Sequence, residues 1–178
     1  MKRKVVLAFL LTGALVLSGC SKTNNSNETS SGSTSTDSSA QGIDVSNMFS
    51  DRDKEIGYDE ENSTVIKLSD DSTTCDSDAV QISGNTVTII GEGTYILSGT
   101  LTDGMVIVDA EDTDKVQLVL DGVDITSAES AAIYVREADK VFITTASDSQ
   151  NTLTNGGTYT AIDDNNIDAA IFSKSDLT

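Results

Sequence analysis

Asp163, Asp164, Asn165, Asn166 and Asp168 place five oxygen-bearing side chains within six residues, and Tyr159 precedes them. Such a run matches the needs of Ca²⁺, which takes about six to eight oxygens from carboxylates, amides and carbonyls. The spacing is not that of an EF-hand, and a solvated acidic loop fits the same residues. Tyr134 and Phe142 alternate with Ile133, Val135, Val141 and Ile143. In extended chain that alternation turns the two rings away from the apolar set, where they can stack on sugar rings or pack beneath a covering loop. Arg136 ends the Ile133 run and is the candidate base for abstracting a proton beside a uronate carboxylate. As a plain surface cation it would pair with Glu137 or Asp139 instead.

The composition removes other chemistries. The chain has 178 residues, 11 Lys and Arg against 29 Asp and Glu, and a formal charge of −18. With no histidine, there is no Ser-His-Asp triad, no His-ligated zinc and no ordinary imidazole base. Without tryptophan the best stacking platform is also missing. Of the acids, 21 are Asp and 8 are Glu, which favours turns, hard cations and short capping bonds over long helices. A surface this negative repels phosphates, so nucleic acid is not an expected partner.

Lys2, Arg3 and Lys4 form a basic head, Val5 to Leu17 is an apolar run, and Leu17-Ser18-Gly19-Cys20 closes it. Thirteen helical residues span about 20 Å, short of the ~30 Å of bilayer hydrocarbon. The pattern resembles the bacterial lipobox, which implies cleavage before Cys20 and acylation of its thiol. Residues 1–19 are thus expected to be a lipoprotein signal peptide. The product would carry 8 bases against 29 acids, a charge of −21, and would meet the membrane only through its lipid, on the extracytoplasmic face of a bacterial cell. Residues 20–62 are expected to be the lipidated cysteine, a Ser/Thr/Asn-rich tether and an irregular approach segment, with too few apolar side chains for a core. Cys75 is the other thiol, so no intramolecular disulfide framework exists.

From 63 to 178 the apolar period is two. Val87 and Ile89, then Val116, Leu118 and Leu120, then Ile133 and Val135, then Val141 and Ile143 each read as a short strand. Gly- and Asp-rich breaks separate them, and no window has helical periodicity. The fold class is therefore all β, either an antiparallel sandwich or a parallel solenoid. Repetition favours the solenoid: Asp114-Lys115-Val116 returns 25 residues later as Asp139-Lys140-Val141, and Ala131-Ala132-Ile133 returns 38 residues later as Ala169-Ala170-Ile171. The longer interval leaves 13 extra residues, around Gly156 to Asp168, to leave the coil as a loop. Long excursions from a rigid scaffold are common binding sites.

The strings GTYILSGTL (Gly93 to Leu101), VQLVLDGVDIT (Val116 to Thr126), AAIYVREADKV (Ala131 to Val141), NTLTNGG (Asn151 to Gly157) and DAAIFSKSDLT (Asp168 to Thr178) resemble the N-terminal coils of a bacterial family. Its secreted or lipid-anchored members are usually named carbohydrate-binding domain-containing proteins. The resemblance, over about Val65 to Thr178, implies a right-handed parallel β-helix that contains calcium and binds acidic (pectin-like) or cellulosic polysaccharide non-catalytically. Members continue with further coils, so residues 63–178 are expected to be an incomplete domain. The expected metal ligands are Asp163, Asp164, Asn165 and Asp168, and the expected sugar-contacting residues are Tyr134, Phe142 and Tyr159. A calcium-dependent polysaccharide lyase and a surface spacer without sugar specificity are the competing functions.

The N-terminal reading has a direct test. Cys20→Ala should abolish labelling with a fatty-acid analogue and leave an uncleaved precursor; a variant processed at the same site as wild type would refute the lipobox.

Overall fold

The computed structural model describes residues 48–70, 72–157 and 159–178. The expected signal peptide, Cys20 and the expected tether up to residue 47 lie outside the described residues. The strands are β1 (Thr64–Leu68), β2 (Val80–Ser83), β3 (Thr86–Ile89), β4 (Gly93–Leu101), β5 (Met105–Asp109), β6 (Lys115–Ser127), β7 (Ile133–Glu137), β8 (Lys140–Thr145), β9 (Thr152–Asn155), β10 (Ile171–Ser173) and β11 (Asp176–Leu177). One 3₁₀ turn, Arg52–Lys54, precedes them. Among the described residues the protein is all β, with no helix long and apolar enough to cross a membrane.

From β3 to β8 the chain alternates between two sheets. One runs β1-β4-β6-β8-β11 and the other β10-β7-β5-β3-β2. Neighbours are parallel except β2 and β3, a hairpin that turns through Gly84 at φ +57. The two sequence repeats are the pairing registers themselves. Lys115 and Val116 lie opposite Lys140 and Val141, and Ile133 lies opposite Ile171. Parallel strands stacked in register put like residues above like, so one apolar pattern builds a continuous ladder. Ile66, Leu97 and Leu120 form one rung series, and Val87, Val106 and Ile133 form another across the core. These side chains belong to a single buried cluster between the sheets. Tyr95, 1% exposed, joins it and donates its hydroxyl to the Gly91 carbonyl at 2.8 Å. β5, a continuous apolar run, is buried on both faces, as expected where a strand has layers on each side.

The two longest strands bend midway. The β4–β6 register shifts between Leu97 and Gly99, and beyond it Gly99 pairs with Val123. The near arm of β6 pairs with β8 and its far arm with β9. Asn151 holds this corner, its Oδ1 accepting from the Gly122 and Val123 amides at 2.9 and 3.0 Å. Gly99 is required on two counts: its φ is +102, and a Cβ there would lie 2.3 Å from the Leu68 carbonyl oxygen.

Outside the sheets two smaller clusters form. Ile167 packs on Met105, Ile107, Ala131 and Tyr134, with Phe172 against them. Tyr58 packs on Ile96, Val119 and Ala146. Ile167 thus covers part of the outer face of β5 and β7, and Tyr58 part of the outer face of β4 and β6.

Leu118→Ala should cost about 2–5 kcal/mol of stability through the cavity it leaves, read as a urea midpoint shift. Val141→Asp should prevent cooperative folding, because it buries an unpaired charge. Gly99→Ala should be clearly destabilising despite adding one methyl group, whereas a wild-type midpoint there would contradict the tight corner.

Candidate carbohydrate-binding site

Of the two arrangements that alternation allows for Tyr134 and Phe142, exposed for stacking or packed beneath a cover, the structure has the covered one. Tyr134 is fully buried and Phe142 is 3% exposed, because each outward face is covered. Tyr134 lies tilted against Phe172, with centroids 5.8 Å apart. Its hydroxyl donates to Asp163 Oδ2 at 2.7 Å and accepts from Asn165 Nδ2 at 2.9 Å. A ring closed on both faces cannot stack on a sugar. Phe142 is covered differently, by the Arg52 guanidinium 4.2 Å from its centroid, a contact worth about 0.5–1 kcal/mol where water reaches it. Tyr159 remains 38% exposed, with its hydroxyl accepting from Asn155 Nδ2 at 2.7 Å.

The loop expected to hold calcium is a latch. Asp163 Oδ2 takes the Tyr134 hydroxyl and the Arg136 Nε at 3.2 Å, while Oδ1 takes the Asn165 amide and Nδ2 at 2.8 and 2.7 Å. Its pKa falls from 3.8 to about 2, chiefly through the Tyr134 hydroxyl; burial opposes this, and Asn165 and Arg136 add to it. Asp164 and Asp168 are exposed. Among the described residues no three acidic, histidine or cysteine side chains converge as a metal site would need. The lone pairs of Asp163 are already engaged, and Asn165 turns its NH₂ rather than its oxygen toward them. The set Asp163, Asp164, Asn165 and Asp168 does not fit calcium.

Arg136 is not an available base either. Its Nη1 donates to Asp109 Oδ2 at 2.8 Å and its Nε to Asp163, and the guanidinium lies 5.5 Å from the Tyr134 ring. Burial works to lower its pKa, but the bonds to Asp109, Tyr134 and Asp163 outweigh that and the net direction is upward. It stays protonated and pinned. Neither Glu137 nor Asp139, the partners expected from the sequence, takes it; Asp139 pairs with Lys115.

The outer face of the β4-β6-β8 sheet carries the more suitable surface. Thr94, Gln117 and Phe142 lie side by side on successive strands, and the next row back is Gly93, Val116 and Val141. Lys115 and Lys140 are register partners at its edge. A cleft of about 350 Å³ opens there, lined by Arg52, Glu92, Thr94, Lys115, Gln117 and Phe142. Gln117 Oε1 accepts from Arg52 Nη2 at 2.8 Å, and its Nε2 donates to Thr144 Oγ1 at 3.1 Å. Amide, hydroxyl, carboxylate and cation thus meet beside an aromatic ring, a combination suited to hydroxyl-rich and carboxylated sugars. Sequence reasoning missed Arg52, Lys115, Gln117 and Lys140. Lys115 and Lys140 left a trace in the recurring Asp-Lys-Val motif, and Gln117 one as a polar residue inside the apolar run of β6.

Residues 83–178 match the family of carbohydrate-binding domain-containing proteins. The chain belongs to this family. A carbohydrate-binding domain-containing protein of Acetivibrio thermocellus is 39% identical over 116 residues, covering 64% of this chain and 41% of the relative. A solved structure described as the polysaccharide lyase-like protein from C. thermocellum, gadolinium derivative, superposes with a TM-score of 0.59 at 37% identity. It covers 65% of this chain and 47% of that one. The chain therefore spans less than half of the length of both relatives.

Asp163 has a signed pH signature. Its carboxyl is more acidic in the folded state, so its contribution is complete above about 3.8 and disappears as pH falls through about 2. Asp163→Asn should lower the urea midpoint at neutral pH, and the gap from wild type should close on acidification through that window. Excess chelator should leave the midpoint of wild type unchanged; a chelator-induced drop would restore a cation to this loop.

Proposed function

We propose that this chain binds polysaccharide without cleaving it. The observation that carries the reading is membership of the carbohydrate-binding domain family across residues 83–178. In-register parallel stacking with alternation between two sheets supports assigning residues 63–178 as N-terminal coils of a right-handed parallel β-helix, since crossovers between parallel strands are nearly always right-handed. The N-terminal pattern ending at Cys20 supports a lipid-anchored protein on the extracytoplasmic face of a bacterial membrane, with residues 20–62 as lipidated cysteine, tether and approach segment.

The Lys115–Gln117–Phe142 cleft is the proposed binding site, and Tyr159, on the loop over the other sheet, is a secondary contact. An acidic, pectin-like chain is favoured over a cellulosic one because Lys115 and Lys140 stand side by side at this face of an otherwise negative protein. Calcium has no part in the reading. The relative described as polysaccharide lyase-like keeps a lyase in view as the second reading, but the candidate base Arg136 is pinned between two carboxylates.

Wild-type protein should be retained on immobilised polygalacturonate in the presence of chelator, more strongly than on cellulose. Lys115→Ala should weaken that retention several-fold without changing the urea midpoint by more than the ~0–1 kcal/mol an exposed ion pair is worth. Incubation with soluble polygalacturonate should produce no absorbance from unsaturated uronate. Failure to bind either polymer would defeat the reading, and an absorbance rise would replace it with the lyase.

A further inference from the structure

Ser50 to Tyr58 crosses the outer face of the β4-β6-β8 sheet, and it is held there almost entirely by polar atoms. Asp53 is its central tie. Oδ1 pairs with Lys140 Nζ at 2.5 Å and accepts from Thr178 Oγ1 at 2.8 Å; Oδ2 accepts the Ser50 amide and hydroxyl at 2.7 and 2.8 Å. The Asp53 side chain is 3% exposed. Arg52 lies over Phe142 and donates to Gln117. The neighbours of Asp53 in the 3₁₀ turn, Arg52 and Lys54, are not buried, and Ile56 is 76% exposed. The apolar anchor is Tyr58, at the C-terminal end, against Ile96, Val119 and Ala146.

We propose that this segment is a strap occupying a uronate-binding site on Lys140, Gln117 and Phe142, with Asp53 in the place of the sugar carboxylate and Arg52 in the place of the sugar ring. The proposal rests on the polysaccharide-binding reading and assigns its site a built-in competitor. Three of the strap's contacts have a counterpart in an acidic sugar. A uronate carboxylate replaces Asp53 on Lys140, a pyranose C–H face replaces the guanidinium on Phe142, and a sugar hydroxyl replaces Arg52 as donor to Gln117 Oε1.

The exchange leaves no buried charge unpaired, so it avoids the penalty that usually keeps ion pairs closed. The cleft beside the strap is open at Thr94 and Lys115, with Gln117 buried at its wall, and provides the point of entry. Tyr58 is the pivot, because it stays packed while the polar stretch before it lifts. This contrasts with the cover over Tyr134, where Ile167 and Phe172 are anchored in an apolar cluster and cannot exchange for a sugar.

A site occupied by its own chain shows an apparent affinity reduced by the fraction of molecules that are open. Two substitutions break the same ion pair from opposite sides. Asp53→Ala frees the site and should tighten binding to soluble polygalacturonate on the order of tenfold, whereas Lys140→Ala frees the strap but removes the ligand's partner and should weaken binding. Arg52→Gln loosens the other tie and should tighten binding like Asp53→Ala. Trypsin should cut after Arg52 and Lys54 faster in wild type once polygalacturonate is added, and in Asp53→Ala without it.

If wild type is retained on polygalacturonate but Asp53→Ala and Arg52→Gln bind no more tightly, the strap proposal falls and the binding reading survives. Ligand that slows tryptic cleavage, or leaves its rate unchanged, overturns the proposal in the same way. If neither wild type nor the two strap variants bind, both fail together.

Discussion

Parallel strands stacked in register repeat one decision at every level: a side chain faces either the space between the two sheets or the outside. The inner ladders of Ile, Leu and Val fill the first space as a continuous core. That arrangement leaves an outer face on each sheet whose residues are stacked as regularly as the inner ones, so any apolar or aromatic outward position becomes a stripe. A stripe exposed to water is an association hazard unless it is covered or used. Much of what distinguishes this protein lies in how it treats those two outer faces.

The faces are treated by different physics. Over β5 and β7 the cover is apolar at its centre, with Ile167 among Met105, Ile107, Ala131 and Tyr134. Around that centre Asp163 ties Tyr134, Asn165 and Arg136 into one hydrogen-bonded unit. Removing it would expose apolar surface and orphan several polar atoms at once. Over β4, β6 and β8 the cover is polar, with Arg52 on Phe142 and Asp53 on Lys140. Its contacts resemble those that water, ions or sugars can replace. A negative chain also has few cations to distribute, and three of them, Arg52, Lys115 and Lys140, border this one cleft.

The same contrast explains why the acidic loop misled. Asp163, Asp164, Asn165 and Asp168 have the composition of a hard-cation site, but coordination requires oxygens to converge on a point, and convergence is a property of the fold. Here the Tyr134 hydroxyl and the Arg136 guanidinium, 29 and 27 residues earlier in the chain, reach Asp163 first. A carboxylate that accepts a hydroxyl, two amide groups and a guanidinium is a structural acceptor, and its depressed pKa follows from that.

Local alternation and repetition sufficed, in the sequence alone, to indicate the strands around Val87, Val116, Ile133 and Val141, the all-β class and two of the pairing registers. The offsets of 25 and 38 residues are the Val116–Val141 and Ile133–Ile171 partners. These were legible because the period of two and the recurrence of a motif are properties of neighbouring residues. Alternation also turns Tyr134 and Phe142 away from the inner core, as the chain does, but says nothing of what lies on top of them. The covers arise from Arg52, 90 residues before Phe142, and from Ile167, 33 residues after Tyr134. Whether an outward ring meets water, an arginine or an isoleucine depends on contacts between distant segments, so only the tertiary structure decided it.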